Sequence, residues 1–136
     1  MQVFNSQRKH AVDVAFLRGI VLQVLRSLGL DDQDLSVILI SDRAMLQLNR
    51  RYRGIRKSTD VLSFADLGVS GYLGDVFIST ETAAANAQQR GYALPQELAL
   101  LILHGILHLA GFDHETDGGR MKRLERRLRR SLALAA

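Results

Sequence analysis

Apolar positions alternate between strand-like runs and helix-like spacing from one end of the chain to the other. Val3-Phe4-Asn5 reads as a short opening strand. From Lys9 to Leu28, the residues Val12, Ala15, Phe16, Ile20, Leu22 and Val24 recur densely at roughly helical intervals, and Gly29 ends the run. Leu35 to Ser41 (Leu-Ser-Val-Ile-Leu-Ile-Ser) is rich in β-branched residues and predicts a strand buried on both faces. Asp42 is the expected N-cap of a helix through Tyr52, with Ala44, Met45, Leu48 and Tyr52 as its inner stripe.

A basic loop over 53–58 leads into Thr59 to Ala65, where Val61-Leu62-Ser63-Phe64 predicts a third strand. Gly68 to Gly74 is turn-rich, and Leu73 to Ser79 predicts a fourth strand. Ser79 or Thr80 can cap a polar helix to Arg90, with Glu81 in its first turn. Pro95 suits the first turn of the next helix, whose N-terminal dipole Glu97 favours. Thr116 to Ala135 places Met121, Leu124, Leu128 and Leu132 on one narrow stripe with arginine around the rest, which predicts a docked amphipathic helix. The order β-α-β-α-β-β-α-α-α points to a single α+β domain, 1–136, with a small mixed four-stranded sheet and about five helices.

The most apolar of these helices carries the chemistry. His104-Gly-Ile-Leu-His108-Leu-Ala-Gly111-Phe-Asp113-His114 holds three of the chain's four histidines. On a helix, His104 and His108 share a side, and Gly111 offers the left-handed residue that turns a chain back after a helix. His114 could then approach the same point, and three imidazoles would leave a fourth zinc position open. A lone histidine on an apolar helix is usually a core residue satisfied by one hydrogen bond. Three together would each need a separate partner, which favours a shared metal. The native metal need not be zinc on affinity grounds alone, since copper binds nitrogen donors more tightly.

Composition narrows the setting. The 136 residues include no cysteine, so neither a disulfide nor a thiolate metal site is available. Met1 to Lys9 lacks the apolar core of a signal peptide, and Leu98 to Ala110 is too short to span a bilayer, so a cytoplasmic protein with no membrane contact is expected. Net charge is +4, but residues 50–57 carry +5 in Arg50, Arg51, Arg53, Arg56 and Lys57, and residues 120–130 carry +6. Two basic segments on an otherwise acidic body suit a polyanionic partner such as RNA, although most charge runs are only solvated faces.

The histidine spacing equals that of the metzincin proteases, H-E-x-x-H-x-x-G-x-x-H, but Gly105 stands where the protease has its glutamate base. RNA brings its own nucleophile, the 2′-hydroxyl, so phosphodiester cleavage needs mainly charge stabilisation, which zinc and an arginine fork can supply. Arg53 is the candidate fork. An RNA- or ribosome-binding assembly factor with a mainly structural zinc is the alternative.

With those residues in view, the chain resembles the YbeY family of bacterial endoribonucleases and ribosomal RNA maturation factors, over nearly its whole length. His104 to His114 resembles that family's H-G-x-L-H-L-x-G-[YF]-D-H. Asn49 to Phe64 resembles N-x-x-[YF]-R-x-x-x-x-P-T-D-V-L-S-F, and Gly74-Asp75-Val-Phe-Ile-Ser79 resembles G-D-I-x-I-S. The resemblance implies zinc ligation by His104, His108 and His114, a functional arginine at Arg53, and action on single-stranded RNA, notably at the 3′ end of small-subunit ribosomal RNA and in ribosome quality control. It thereby implies the small ribosomal subunit as a partner. Asp113 could orient a ligand histidine or cap the turn. Ser58 and Ala65 replace prolines of the pattern beside the third strand, which questions the rigidity of that loop.

Overall fold

The computed structural model describes residues 1–66, 71–112 and 118–132. Its elements follow the expected order: β1 (Gln2–Asn5), α1 (Val14–Ser27), β2 (Asp34–Ile40), α2 (Asp42–Arg53), β3 (Val61–Ala65), β4 (Tyr72–Ser79), α3 (Thr80–Arg90), α4 (Leu94–Leu109) and α5 (Arg120–Ser131). The sheet runs β1-β2-β4-β3, with the first three parallel and β3 antiparallel to β4 at the edge. This is the mixed four-stranded sheet of an α+β domain.

The two-residue period of the strands feeds two cores. Leu35, Val37, Leu39, Val76 and Ile78 pack with α1, α4 and the Met121 and Leu128 stripe of α5. From the opposite face, Ile40 and Leu62 pack with Met45 of α2, flanked by Ile38, Phe64 and Phe77. Burying β2 on both faces accounts for its continuous apolar run. The sheet therefore lies between α2 on one side and the large helical layer on the other.

Several boundaries differ from the sequence expectation for physical reasons. Helix α1 starts at Val14 rather than Lys9, because the Asp13 carboxylate caps it by accepting from the Phe16 amide at 3.1 Å. Ser41, not Asp42, caps α2, its hydroxyl accepting from the Ala44 amide at 3.1 Å. Tyr52 is 60% exposed rather than on the inner stripe. Asn49 is buried instead, and its side-chain amide donates to the Lys57 carbonyl at 2.8 Å, tying the basic loop back to the helix. Ser79 supplies the cap of α3, accepting from the Thr82 amide.

Asp42 is released from capping for another task. Its carboxylate accepts hydrogen bonds from the hydroxyls of Ser58 (3.2 Å), Ser79 and Thr82 (2.5 Å), joining the start of α2, the basic loop and the β4–α3 junction. Ser58 thus tethers by a hydrogen bond the loop that a proline would stiffen. Burial alone would raise the Asp42 carboxyl pKa, but the three hydroxyl donors outweigh it and hold the group below its ordinary value. A carboxyl depressed in the folded state adds stability above its unfolded pKa, and that contribution fades as pH falls through the folded value. Asp42→Asn is expected to cost about 1–2 kcal/mol at neutral pH. In urea titrations the gap from wild type should narrow as pH drops below 3.8; a gap that stays constant would show that the charge is irrelevant.

Candidate metal and RNA site

Helix α4 is the floor of the site because it lies unusually close to the sheet. A Cβ on Gly105 would come within 2.6 Å of Val76 Cγ1 and 3.2 Å of Ser63 Oγ, so only glycine permits this approach. The Ser63 hydroxyl donates to the Gly105 carbonyl at 3.3 Å, fastening β3 to the helix. His104, one residue before Gly105, and His108, three after it, lie about 100° and 60° round the helix from the sheet-facing glycine on the same side, and both border one groove. Gly111 ends the helical segment with φ +97°, as its spacing predicts.

The groove encloses about 540 Å³ and runs along edge strand β3. Thr59, Asp60, Ser63, Phe64, His104, His108 and Arg53 contribute its walls. Arg53, at the last turn of α2, therefore reaches the same groove as the histidines although 51 positions separate it from His104 in the chain. Asp60 is the one carboxylate lining this groove among the described residues; Asn86 Nδ2 donates to it at 3.4 Å.

The two imidazoles converge. His104 Nε2 and His108 Nε2 are 3.1 Å apart, with the rings edge to face. Two nitrogens sharing a tetrahedral zinc at 2.0–2.1 Å would be separated by about 3.3 Å. His104 Nδ1 meets Glu125 Oε1 of α5 at 3.1 Å. With Nδ1–H donating to that carboxylate, the lone pair of His104 sits on Nε2, the atom turned toward His108. The donor pair and its carboxylate support thus fit a divalent cation such as zinc. The predicted third ligand, His114, and the predicted supporting residue, Asp113, lie outside the described residues.

Glu125 and Asp60 are the site carboxylates that sequence reading missed, and only Glu125 carried a signal. It is the only acid in a helix of arginines, and it falls four positions after the buried Met121, on the inner side of α5. That isolated acid on an inward-facing position was the available signal. The remaining predicted RNA contacts do not line the groove. Arg50, Arg51, Arg56 and Lys57 are exposed; Arg51 lies 5.5 Å over the Tyr52 ring, and Arg50 and Arg56 border a separate hollow on α2.

The family model for "Endoribonuclease YbeY" matches residues 2–133. This chain belongs to the YbeY endoribonuclease family. A Geobacter sulfurreducens Endoribonuclease YbeY is 37% identical over 140 residues, covering 97% of this chain and 93% of that protein. An Aquifex aeolicus relative of the same name is 44% identical over 102 residues, covering 73% of this chain and 68% of that protein. A Thermotoga maritima protein solved in solution superposes with a TM-score of 0.67 at 26% identity, covering 93% of this chain and 85% of that one. YbeY membership makes the chain an RNA-cleaving hydrolase, and RNA its substrate. Gly105 agrees with that chemistry: the position that bears a glutamate in metzincins faces Val76 and the sheet here, not the groove. Among the described residues, no single helix is long and apolar enough to cross a membrane.

Proposed function

We propose that this chain is a zinc-dependent, single-strand-specific endoribonuclease that matures the 3′ end of small-subunit ribosomal RNA and takes part in ribosome quality control in the cytoplasm. The observation that carries the reading is the 3.1 Å approach of His104 Nε2 and His108 Nε2 at a groove that Arg53 also lines. His104, His108 and His114 would hold the ion, and zinc would supply a Lewis acid that neutralises charge on a phosphoryl oxygen.

The protein's own groups do the rest. Arg53 offers a planar fork to the non-bridging phosphate oxygens, stabilising the charge that builds there during attack. Glu125 fixes the tautomer and orientation of His104. Asp60, with weakly held carboxylate oxygens in the same groove, is available to accept the proton of the 2′-hydroxyl as its oxygen bonds to phosphorus; the P–O5′ bond breaks, and the leaving 5′-oxygen takes a proton from solvent, giving a 2′,3′-cyclic phosphate and a 5′-hydroxyl end. Edge strand β3, with Phe64, lines the same groove and gives a single RNA strand a surface to lie along beside the histidines.

Cleavage of a single-stranded RNA by the protein as purified, after chelation and after zinc is restored tests this reading. Activity should vanish on chelation and return with zinc; chelation-resistant cleavage would overturn it. Arg53→Gln is expected to lower kcat/KM about 100-fold, as for loss of one oxyanion donor. RNA affinity, followed by fluorescence anisotropy, should change by less than about threefold. An equal loss in affinity and kcat/KM would make Arg53 a ground-state binding residue.

A further inference from the structure

Helix α2 carries a second feature, outside the groove. Arg43, Leu46, Gln47, Arg50 and Arg56 border a hollow of about 270 Å³ that no carboxylate lines. None of these three arginines makes an ion pair among the described residues. Gathering three guanidiniums round one depression without an acid costs self-repulsion, which a bound polyanion would relieve. Leu46, 37% exposed, gives the hollow an apolar floor.

Helical spacing decides where this hollow lies relative to the groove. Arg43, Leu46, Arg50 and Arg53 follow intervals of three, four and three residues, the recurrence of a single helix face. One end of that face, Arg53, is in the wall of the histidine groove; the other end, Arg43, is in the wall of the hollow. From Arg43 to Arg53 the helix rises about 15 Å. Arg56 joins the hollow from the loop after Gly54, whose left-handed φ of +68° turns the chain back beside the helix.

We propose that the hollow formed by Arg43, Arg50 and Arg56 is a phosphate-binding subsite for the flanking part of the RNA strand whose scissile bond sits at the histidine groove. This rests on the endoribonuclease reading and gives it a direction: the strand leaves the groove past Arg53 and follows α2 toward its N-terminus. A 15 Å track accommodates about four to five phosphates at the ~3.4 Å spacing of a stacked strand. Contacts there are to phosphate, so they add affinity and length dependence without reading sequence.

The test compares binding of 2′-O-methyl oligoribonucleotides of six and twenty residues, which resist cleavage through the 2′-oxygen, by anisotropy over a range of salt. The proteins are wild type, an Arg43→Gln/Arg50→Gln/Arg56→Gln variant, and an Arg120→Gln/Arg123→Gln/Arg127→Gln variant that removes the same charge from α5. Circular dichroism confirms that each is folded. In the α2 variant the affinity gained from six to twenty residues should shrink at least tenfold. Its salt slope for the longer strand should fall by about 2, from a loss of about 0.7 per phosphate contact. The α5 variant should keep most of both. An unchanged length gain in the α2 variant, or equal losses in both variants, would overturn the subsite. Because binding is read without turnover, a failure of zinc-dependent cleavage would leave this result standing, and the reverse.

Discussion

Alanine at His108 is expected to abolish RNA cleavage and high-affinity zinc binding together. The Nε2 atoms of His104 and His108 lie 3.1 Å apart, so truncating one removes half of the described donor pair. A Lewis acid at a phosphoryl oxygen supplies several kcal/mol, and about 4 kcal/mol corresponds to a thousandfold in rate, so activity should drop by at least about 10³-fold. Competition with a chromophoric chelator reads zinc affinity separately from turnover. Glu125→Gln provides the graded comparison. It leaves both imidazoles but weakens the acceptor that holds His104 Nδ1 at 3.1 Å, and loss of such support typically costs 10–100-fold in metal affinity. The expected order is wild type, then Glu125→Gln, then His108→Ala. A His108→Ala protein that binds zinc as tightly as wild type, or cleaves at the wild-type rate when free of contaminating nuclease, would refute the shared metal.

The element order was legible because each stretch satisfies local and packing demands at once. The α4 run is long, apolar and opened by Pro95; β2 is β-branched and buried from both sides; the α5 stripe of Met121 and Leu128 docks as its spacing predicts. What sequence could not supply was the choice among equivalent local partners. Ser41 and Asp42 are both good caps, and only the tertiary positions of Ser58, Ser79 and Thr82 explain why the serine caps and the aspartate does not. Tyr52 was expected inside, yet the last turn of α2 buries Asn49, whose amide holds the Lys57 carbonyl at a distance of eight residues. The candidate site divides the same way. The i, i+4 pair His104 and His108 follows from helical geometry, whereas Arg53 in the same groove depends on how α2 packs on the sheet through Met45, Ile40 and Leu62. Glu125 depends on how α5 docks, a contact across 21 residues that spacing alone does not encode.

Restoring the protease glutamate by Gly105→Glu is expected to unfold the chain rather than create a peptidase. Position 105 has no room: its first added carbon would sit 2.6 Å from Val76 Cγ1, where carbon contacts ordinarily begin near 3.5 Å. Val76 is fully buried in β4, and its β-branched side chain has few alternative rotamers, so relief requires moving α4 off the sheet. Overpacking costs about 1–3 kcal/mol, and an unpaired buried carboxylate adds about 3–5 kcal/mol, together comparable with the 5–15 kcal/mol stability of a small domain. Gly105→Ala isolates the steric part. Its better helix propensity returns about 1 kcal/mol, so a net loss of up to roughly 2 kcal/mol is expected in urea titration. Combining it with Val76→Ala should yield a protein more stable than the sum of the two single losses, since the second change vacates the space that the first invades. Additive losses, or a Gly105→Glu protein with wild-type melting temperature, would mean that α4 does not rest on the sheet as closely as described. The same close approach brings β3, and with it the groove, against the two histidines. A folded Gly105→Ala protein should therefore also bind zinc normally yet cleave RNA more slowly, because the helix and edge strand that frame the scissile bond have been pushed apart.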